Sequence, residues 1–179
     1  AESLRDAMLL VSGELQLSPS EGSVIASFPD REFNDRIHPS TEQLSSVHRS
    51  VYLPVARYWV PDMMSEFDFA DPSLVVGKRT ERTMASQSLF LMNSAFITER
   101  AKRIAAEIMT RPEPDRAATV FRRILLRDPT TAEETRLAAL IRELPNGVSE
   151  NKADNDIPSE AWTAACQTLL MTAEFRYVP

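Results

Sequence analysis

A chain of 179 residues, 43% of them hydrophobic, can bury a core without disulfide or metal staples. Twenty basic and 26 acidic side chains leave a net charge of −6, which argues against a nucleic-acid backbone or a polybasic membrane anchor as the main partner. The single cysteine, Cys166, excludes an internal disulfide and a CxxC metal or haem motif. No run approaches the roughly 20 apolar residues that span a bilayer.

In chain order, Ser3 to Val11 reads as a short helix with Leu4, Met8 and Val11 on one face, stopped by Gly13. Residues 18–48 are rich in turn chemistry (Ser-Pro-Ser-Glu-Gly-Ser, Phe-Pro-Asp, His-Pro-Ser) and predict a long irregular stretch. Ser50 to Val55 is β-prone, but Pro54 bars a central strand, so an extended segment or edge strand is expected. Pro61 suits the first turn of a helix running to about Phe67, and Asp68 to Pro72 ends it. Residues 73–83 are polar and loop-like around Gly77.

From Ser86 the pattern is helical. Ser86 is placed to cap a helix through Asn93, and Ser94 to cap the next, striped by Ile97, Ala101, Ile104, Ala105 and Ile108. Pro112 and Pro114 break that helix. The following one buries Ala117, Val120, Phe121, Ile124 and Leu125, and ends at Asp128-Pro129. Thr131 and Glu134 have the spacing of a capping box, leading into a helix with Leu137, Leu140, Ile141 and Leu144. Residues 145–158 form a polar linker. Ser159 then caps a last helix whose inner face holds Trp162, Ala165, Cys166, Leu169 and Ala173. The fold class is mostly α: a single helical domain over residues 1–179 with a long irregular N-terminal third. The chain opens in helix-forming sequence without a signal peptide, so it is expected to be an excised fragment of something longer.

Five separated blocks carry a family resemblance. They are His48-Arg49-Ser50-Val51-Tyr52-Leu53-Pro54-Val55; Phe67-Asp68-Phe69-Ala70-Asp71-Pro72; Lys78-Arg79 with Gln87 to Asn93; Phe121-Arg122-Arg123-Ile124-Leu125 with Pro129 to Glu134; and Ala161-Trp162 through Cys166-Gln167 to Glu174-Phe175-Arg176-Tyr177-Val178. Over residues 45–179 their order resembles the C-terminal domain of unknown function of planctomycete surface-associated cytochrome c-type proteins. Departures stand at His48, where the family has arginine, at Ser86, at Ser94 and at Met171 to Ala173. The resemblance implies an exported, periplasmic or cell-surface setting. It implies haem c only in an upstream domain, with no cofactor in this chain, and other domains of the same parent chain as partners. It supplies no catalytic residue.

The residues themselves offer several constellations. His38 and His48 have no His or Cys neighbour at metal-ligand spacing, so no metal site is expected. Glu66, Asp68 and Asp71 can cap turns, pair with arginine or hold a cation. Arginine outnumbers lysine 17 to 3, and its planar fork suits carboxylate or sulfate. Arg49, Tyr52, Arg57, Asp68, Asp71, Arg79, Gln87 and Asn93 are the candidate ligand-binding residues. They form either an internal ionic network or a site for an anionic group such as an acidic or sulfated glycan. Cys166 lies on an apolar helix face and reads as packing; four dispersed glycines make no phosphate cradle. Tyr58, Trp59, Val60, Met63 and Met64 are either core or a partner surface. The expected function is therefore an accessory or binding domain, without nucleic acid or a membrane span. The alternative is an extracytoplasmic enzyme domain acting on polysaccharides or in redox chemistry.

Overall fold

The computed structural model describes residues 1–22, 46–55, 60–79, 82–144 and 157–177. The expectations for His38, Arg57, Tyr58, Trp59 and most of the 145–158 linker lie outside those residues. Among the described residues the regular structure is helical, and the one β feature is a parallel bridge between Gln16 and His48. The fold is mostly α, as expected. Contacts divide the chain into two compact units: Ala1–Leu10 with Glu14–Phe90, and Val11–Gly13 with Leu91–Pro179.

In the first unit α1 spans Glu2–Val11, with Met8 and Leu9 fully buried and Arg5 only 2% exposed. The buried face is thus Arg5, Met8 and Leu9 instead of the expected Leu4, Met8 and Val11. The face is rotated because a buried polar network claims Arg5. Leu9 O accepts from the amides of Glu14 and Leu15, at 2.9 and 3.1 Å, which turns the chain back after the helix. The 46–49 segment pairs with the chain beyond α1: Gln16 N donates to Val47 O at 2.9 Å, and Arg49 N to Gln16 O at 3.2 Å.

Ser50–Tyr52 is a 3₁₀ turn, not the expected extended segment or edge strand. Tyr52 N donates to Arg49 O (2.9 Å) and Leu53 N to Ser50 O (3.1 Å). With Ser50 N committed to Asp6 Oδ1 at 2.7 Å, local turn bonding outweighs the β propensity of Val51 and Tyr52. Helix α2, Asp62–Glu66, follows Pro61 and buries Met63 and Met64, so those two methionines are core. Asp68 closes it with φ 57°, a left-handed conformation that Asp tolerates better than most side chains. Phe67 packs edge-on against Phe90, with ring centroids 6.2 Å apart.

Helix α3, Ala85–Asn93, starts one residue before the expected Ser86 cap. Its start is closed instead by Gln87, whose Oε1 accepts from Met84 N at 3.3 Å. This is the reach-back half of a capping box. Residues from Leu91 onward group with the second unit.

That unit is a helical layer around one apolar seam. Helix α4, Ala95–Met109, follows Ser94 as expected and buries Ile97, Ala101, Ile104, Ala105 and Ile108. Helix α5, Glu113–Leu125, begins after Pro112 and buries Val120, Phe121 and Ile124. It ends at Leu126, left-handed at φ 59° and 86% exposed. Helix α6, Thr131–Glu143, does have a capping box, but Thr130 and Glu133 form it, one residue before the expected pair. Thr130 is the residue with extended backbone (ψ 159°), which a cap needs.

Helix α7, Ile157–Leu170, starts two residues before the expected Ser159 cap. It lies along α4 and also meets α5 and α6. Ala161, Trp162, Ala165, Cys166, Leu169 and Leu170 are its buried side chains. The helix stops at Leu170. A short α8, Ala173–Arg176, restarts after Thr172, whose hydroxyl accepts from Phe175 N at 3.2 Å. That break turns Ala173 out to solvent instead of onto the inner face. No helix among the described residues is long and apolar enough to cross a membrane.

Candidate functional site

A cleft of about 320 Å³ in the first unit is bounded by α1, the Ser50–Val55 segment and Phe69. Glu2, Asp6, Arg49 and Ser50 supply its polar lining; Val51, Leu53, Val55 and Phe69 supply the apolar part. Both carboxylates come from α1 at an i, i+4 spacing, which puts them on one helix face.

Behind the cleft a buried network fixes its wall. Arg5 Nη1 donates to His48 O at 2.9 Å and to Ser50 Oγ at 3.2 Å, and Arg5 Nη2 donates to Ser46 O. Ser50 donates to Asp6 Oδ1 through its amide (2.7 Å) and its hydroxyl (2.6 Å). One α1 turn therefore holds the 46–50 backbone through two adjacent, oppositely charged residues. Arg5 Nη1 and Asp6 Oδ1 stand 3.7 Å apart, so the buried cation has its counter-charge beside it.

At the rim Arg49 Nε lies 3.8 Å from Asp6 Oδ2, with half of the arginine side chain exposed. Arg79 Nη1 donates to both oxygens of Glu2 at 2.8 Å, and its guanidinium carbon sits 5.2 Å from the centre of the Phe69 ring. Burial works to raise the Glu2 carboxyl, but its own backbone amide and Arg79 outweigh this and hold it below its usual range.

A second polar centre surrounds Arg82. Its amide donates to Asp68 Oδ2 at 2.8 Å and its Nε to Oδ1 at 3.0 Å. The Arg82 amide, foremost, and the guanidinium lower the Asp68 carboxyl. Gln87, 3% exposed, donates from Nε2 to Glu66 O (3.0 Å) and Arg82 O (3.1 Å). With Met84 N on its oxygen, this one amide gathers three backbone groups from two segments.

Of the sequence candidates, Arg49 lines the cleft and Arg79 reaches it through Glu2 and Phe69. Asp68 and Gln87 belong to the Arg82 centre. Asp71 accepts from Ser73 N at 2.8 Å, a turn cap. Tyr52 sits in the 3₁₀ turn and is 38% exposed, and Asn93 ends α3 within the second unit. Arg57 is outside the described residues. The sequence reading missed Glu2, Arg5, Asp6, Ser50 and Arg82. Arg5 carried a signal in its place three and four residues before Met8 and Leu9.

The second unit holds an ionic hub. Arg127 Nη1 and Nη2 donate to Glu133 at 2.9 and 2.7 Å; Nε and Nη2 donate to Glu174 at 2.6 and 2.8 Å. Arg127, then the Thr130 amide and hydroxyl, pull the Glu133 carboxyl down to about 2. Glu174 and Glu133, in turn, push the Arg127 guanidinium up. A groove of about 400 Å³ lies between α4 and α7, but several of its polar groups are engaged with backbone carbonyls, Gln167 reaching those of α3. Thr163 donates to Ser159 O (2.8 Å), Thr98 to Ser94 O (3.1 Å) and Gln167 to Met92 O (2.8 Å). Burial pushes the Cys166 thiol up to about 12, so it stays a protonated packing group. Among the described residues, no cluster of three or more His, Cys, Asp or Glu could hold a metal ion, and His48 Nδ1 lies 2.8 Å from Ser18 O.

The chain matches no curated protein and no solved structure. Residues 1–141 match the family PSD1, described as a protein of unknown function (DUF1553). The match starts before the expected residue 45 and stops before the last resembling block, Ala161 to Val178. Because it covers most of the chain, helix α1 and both of its cleft carboxylates included, this protein belongs to the DUF1553 family.

Proposed function

We propose that this chain is a non-catalytic accessory domain whose α1 cleft receives an anionic group of a partner, a carboxylate or sulfate such as an acidic glycan carries. Its setting is a larger exported protein with a haem c domain upstream, as the likeness to planctomycete cytochrome c-type surface proteins implies. Haem stays in that upstream domain, and the other domains of the parent chain are its standing partners.

The observation that carries this reading is Arg49. Its guanidinium stands on the cleft wall, half exposed, and meets Asp6 at 3.8 Å, longer than a hydrogen bond. A carboxylate or sulfate entering between Arg49 and the apolar Val51, Leu53 and Val55 finds a charged donor and a partly dry wall. The carboxylates with resolved shifts support binding over acid–base chemistry. Glu2, Asp68, Glu99, Glu133 and Glu174 are all held ionised, mostly by arginine and at Glu99 by Lys102, and so are poor proton donors near neutrality.

The test is thermal stability against a panel of sulfated, uronate-bearing and neutral oligosaccharides at fixed ionic strength. The charged members raise Tm in the intact chain and not in Arg49→Gln. Absence of a shift with every charged member overturns the reading, and release of reducing ends in the same mixtures replaces it with an enzymatic one.

A further inference from the structure

The cleft already contains an anion, and the chain itself supplies it. Glu2 lines the wall, and both of its carboxylate oxygens accept from Arg79 Nη1 at 2.8 Å. Phe69, another lining residue, lies under the same guanidinium at 5.2 Å. Arg79 therefore bridges two parts of the cleft wall while half of its side chain stays in solvent. The geometry is that of a guanidinium holding a carboxylate: one nitrogen, Nη1, straddles both oxygens, and an aromatic face lies against the same guanidinium.

Two costs meet an incoming anion. It competes with Glu2 for the Arg79 donors, and it is repelled by Glu2 and Asp6, both of which line the space it enters. Asp6 cannot swing away, because Ser50 holds its Oδ1 through two hydrogen bonds, at 2.7 and 2.6 Å. Glu2 is held at the rim by its own backbone amide, by the Ala1 amino group 3.8 Å away and by half-exposed Arg79, and an ion pair of that last kind is readily exchanged.

We propose that Glu2 is an internal stand-in for the ligand, an autoinhibitory contact that occupies Arg79 and lowers the affinity of the cleft until an external carboxylate or sulfate displaces it. The inference rests on the reading of the cleft as an anion site. Arg49 is then the open half of the receptor and Arg79 the guarded half. A ligand with two acidic groups engages both, and a ligand with one engages Arg49 alone.

The experiment is a calorimetric titration of the full chain with inorganic sulfate and with a sulfated, uronate-bearing disaccharide, at constant ionic strength. Wild type, Glu2→Gln, Arg79→Gln and the double variant are compared, with circular dichroism as the check on folding. The expected result is a Kd for the disaccharide about fivefold tighter in Glu2→Gln, the ratio corresponding to an exposed ion pair removed as a competitor. The gain disappears in the double variant, and sulfate shows a smaller gain than the disaccharide. Equal affinities in wild type and Glu2→Gln overturn the stand-in while leaving the anion site standing. No binding by either overturns both. A gain that survives in the double variant also overturns the stand-in, since the effect then does not pass through Arg79.

Discussion

Replacing Arg5 by Met is the sharpest test of how the first unit is held. The side chain is 2% exposed and donates to His48 O, Ser50 Oγ and Ser46 O. Methionine keeps much of the apolar stem but leaves two half-buried carbonyls without their charged donor. It also removes the counter-charge 3.7 Å from Asp6. Deleting one member of a buried ionic network costs about 3–5 kcal/mol, and the retained stem offsets part of it, so we expect about 3 kcal/mol. For a chain of this length that corresponds to a Tm lower by roughly 6–12 °C. Hydrogen exchange locates the damage: the amides of Gln16, Arg49 and Ser50, bonded to Val47 O, Gln16 O and Asp6 respectively, lose protection first. A drop below about 2 °C, or loss of protection spread evenly through both units, refutes the argument that Arg5 pins this segment.

Three further outcomes follow from the same reasoning. Glu133 has a folded-state pKa of about 2, below its unfolded value, so its stabilising effect is complete above the ordinary carboxylate range and is lost as pH falls towards 2. A Tm series from pH 6 downward should therefore fall less steeply in Glu133→Gln than in wild type. Gln87→Leu strands the carbonyls of Glu66 and Arg82 and the Met84 amide. Chemical denaturation should show a loss of about 2 kcal/mol with an unchanged slope. Leu126→Gly relieves a left-handed backbone (φ 59°) at a side chain that is 86% exposed. Stability should rise by about 0.5–1 kcal/mol in the same assay.

The helices of the second unit were legible because each announces itself twice, by an apolar stripe and by a proline or cap. The Ile97 to Ile108 stripe and the Pro112 break came out as read. Errors in where these helices start are of one or two residues, as at Thr130, where two adjacent threonines each have a glutamate three residues on and only backbone conformation chooses between them; the larger miss is the break after Leu170, before Ala173. The first unit was less legible. Its shape depends on contacts between residues more than forty positions apart, such as Arg5 with His48 and Asp6 with Ser50. Local pattern holds no trace of such pairs, so Val51 and Tyr52 suggested a strand while a distant aspartate was fixing a turn. Of the polar candidates, Arg49 stands on the cleft wall and Arg79 meets Glu2 there. The carboxylates that face them were not, since a Glu and an Asp on an ordinary amphipathic helix look like any solvated pair.

The aligned stretch ends at residue 141, two residues short of the end of α6. Helix α7 lies wholly past that limit, yet Trp162, Cys166, Leu169 and Leu170 are buried in the same seam as Ile97 and Ile104. Arg127, inside the limit, grips Glu174, outside it. Severing the polypeptide where the family alignment stops would strip α4 of its cover and leave a greasy trough facing water. The border of the family match thus falls inside the packed second unit, and a recombinant piece that keeps this seam covered should run through Tyr177.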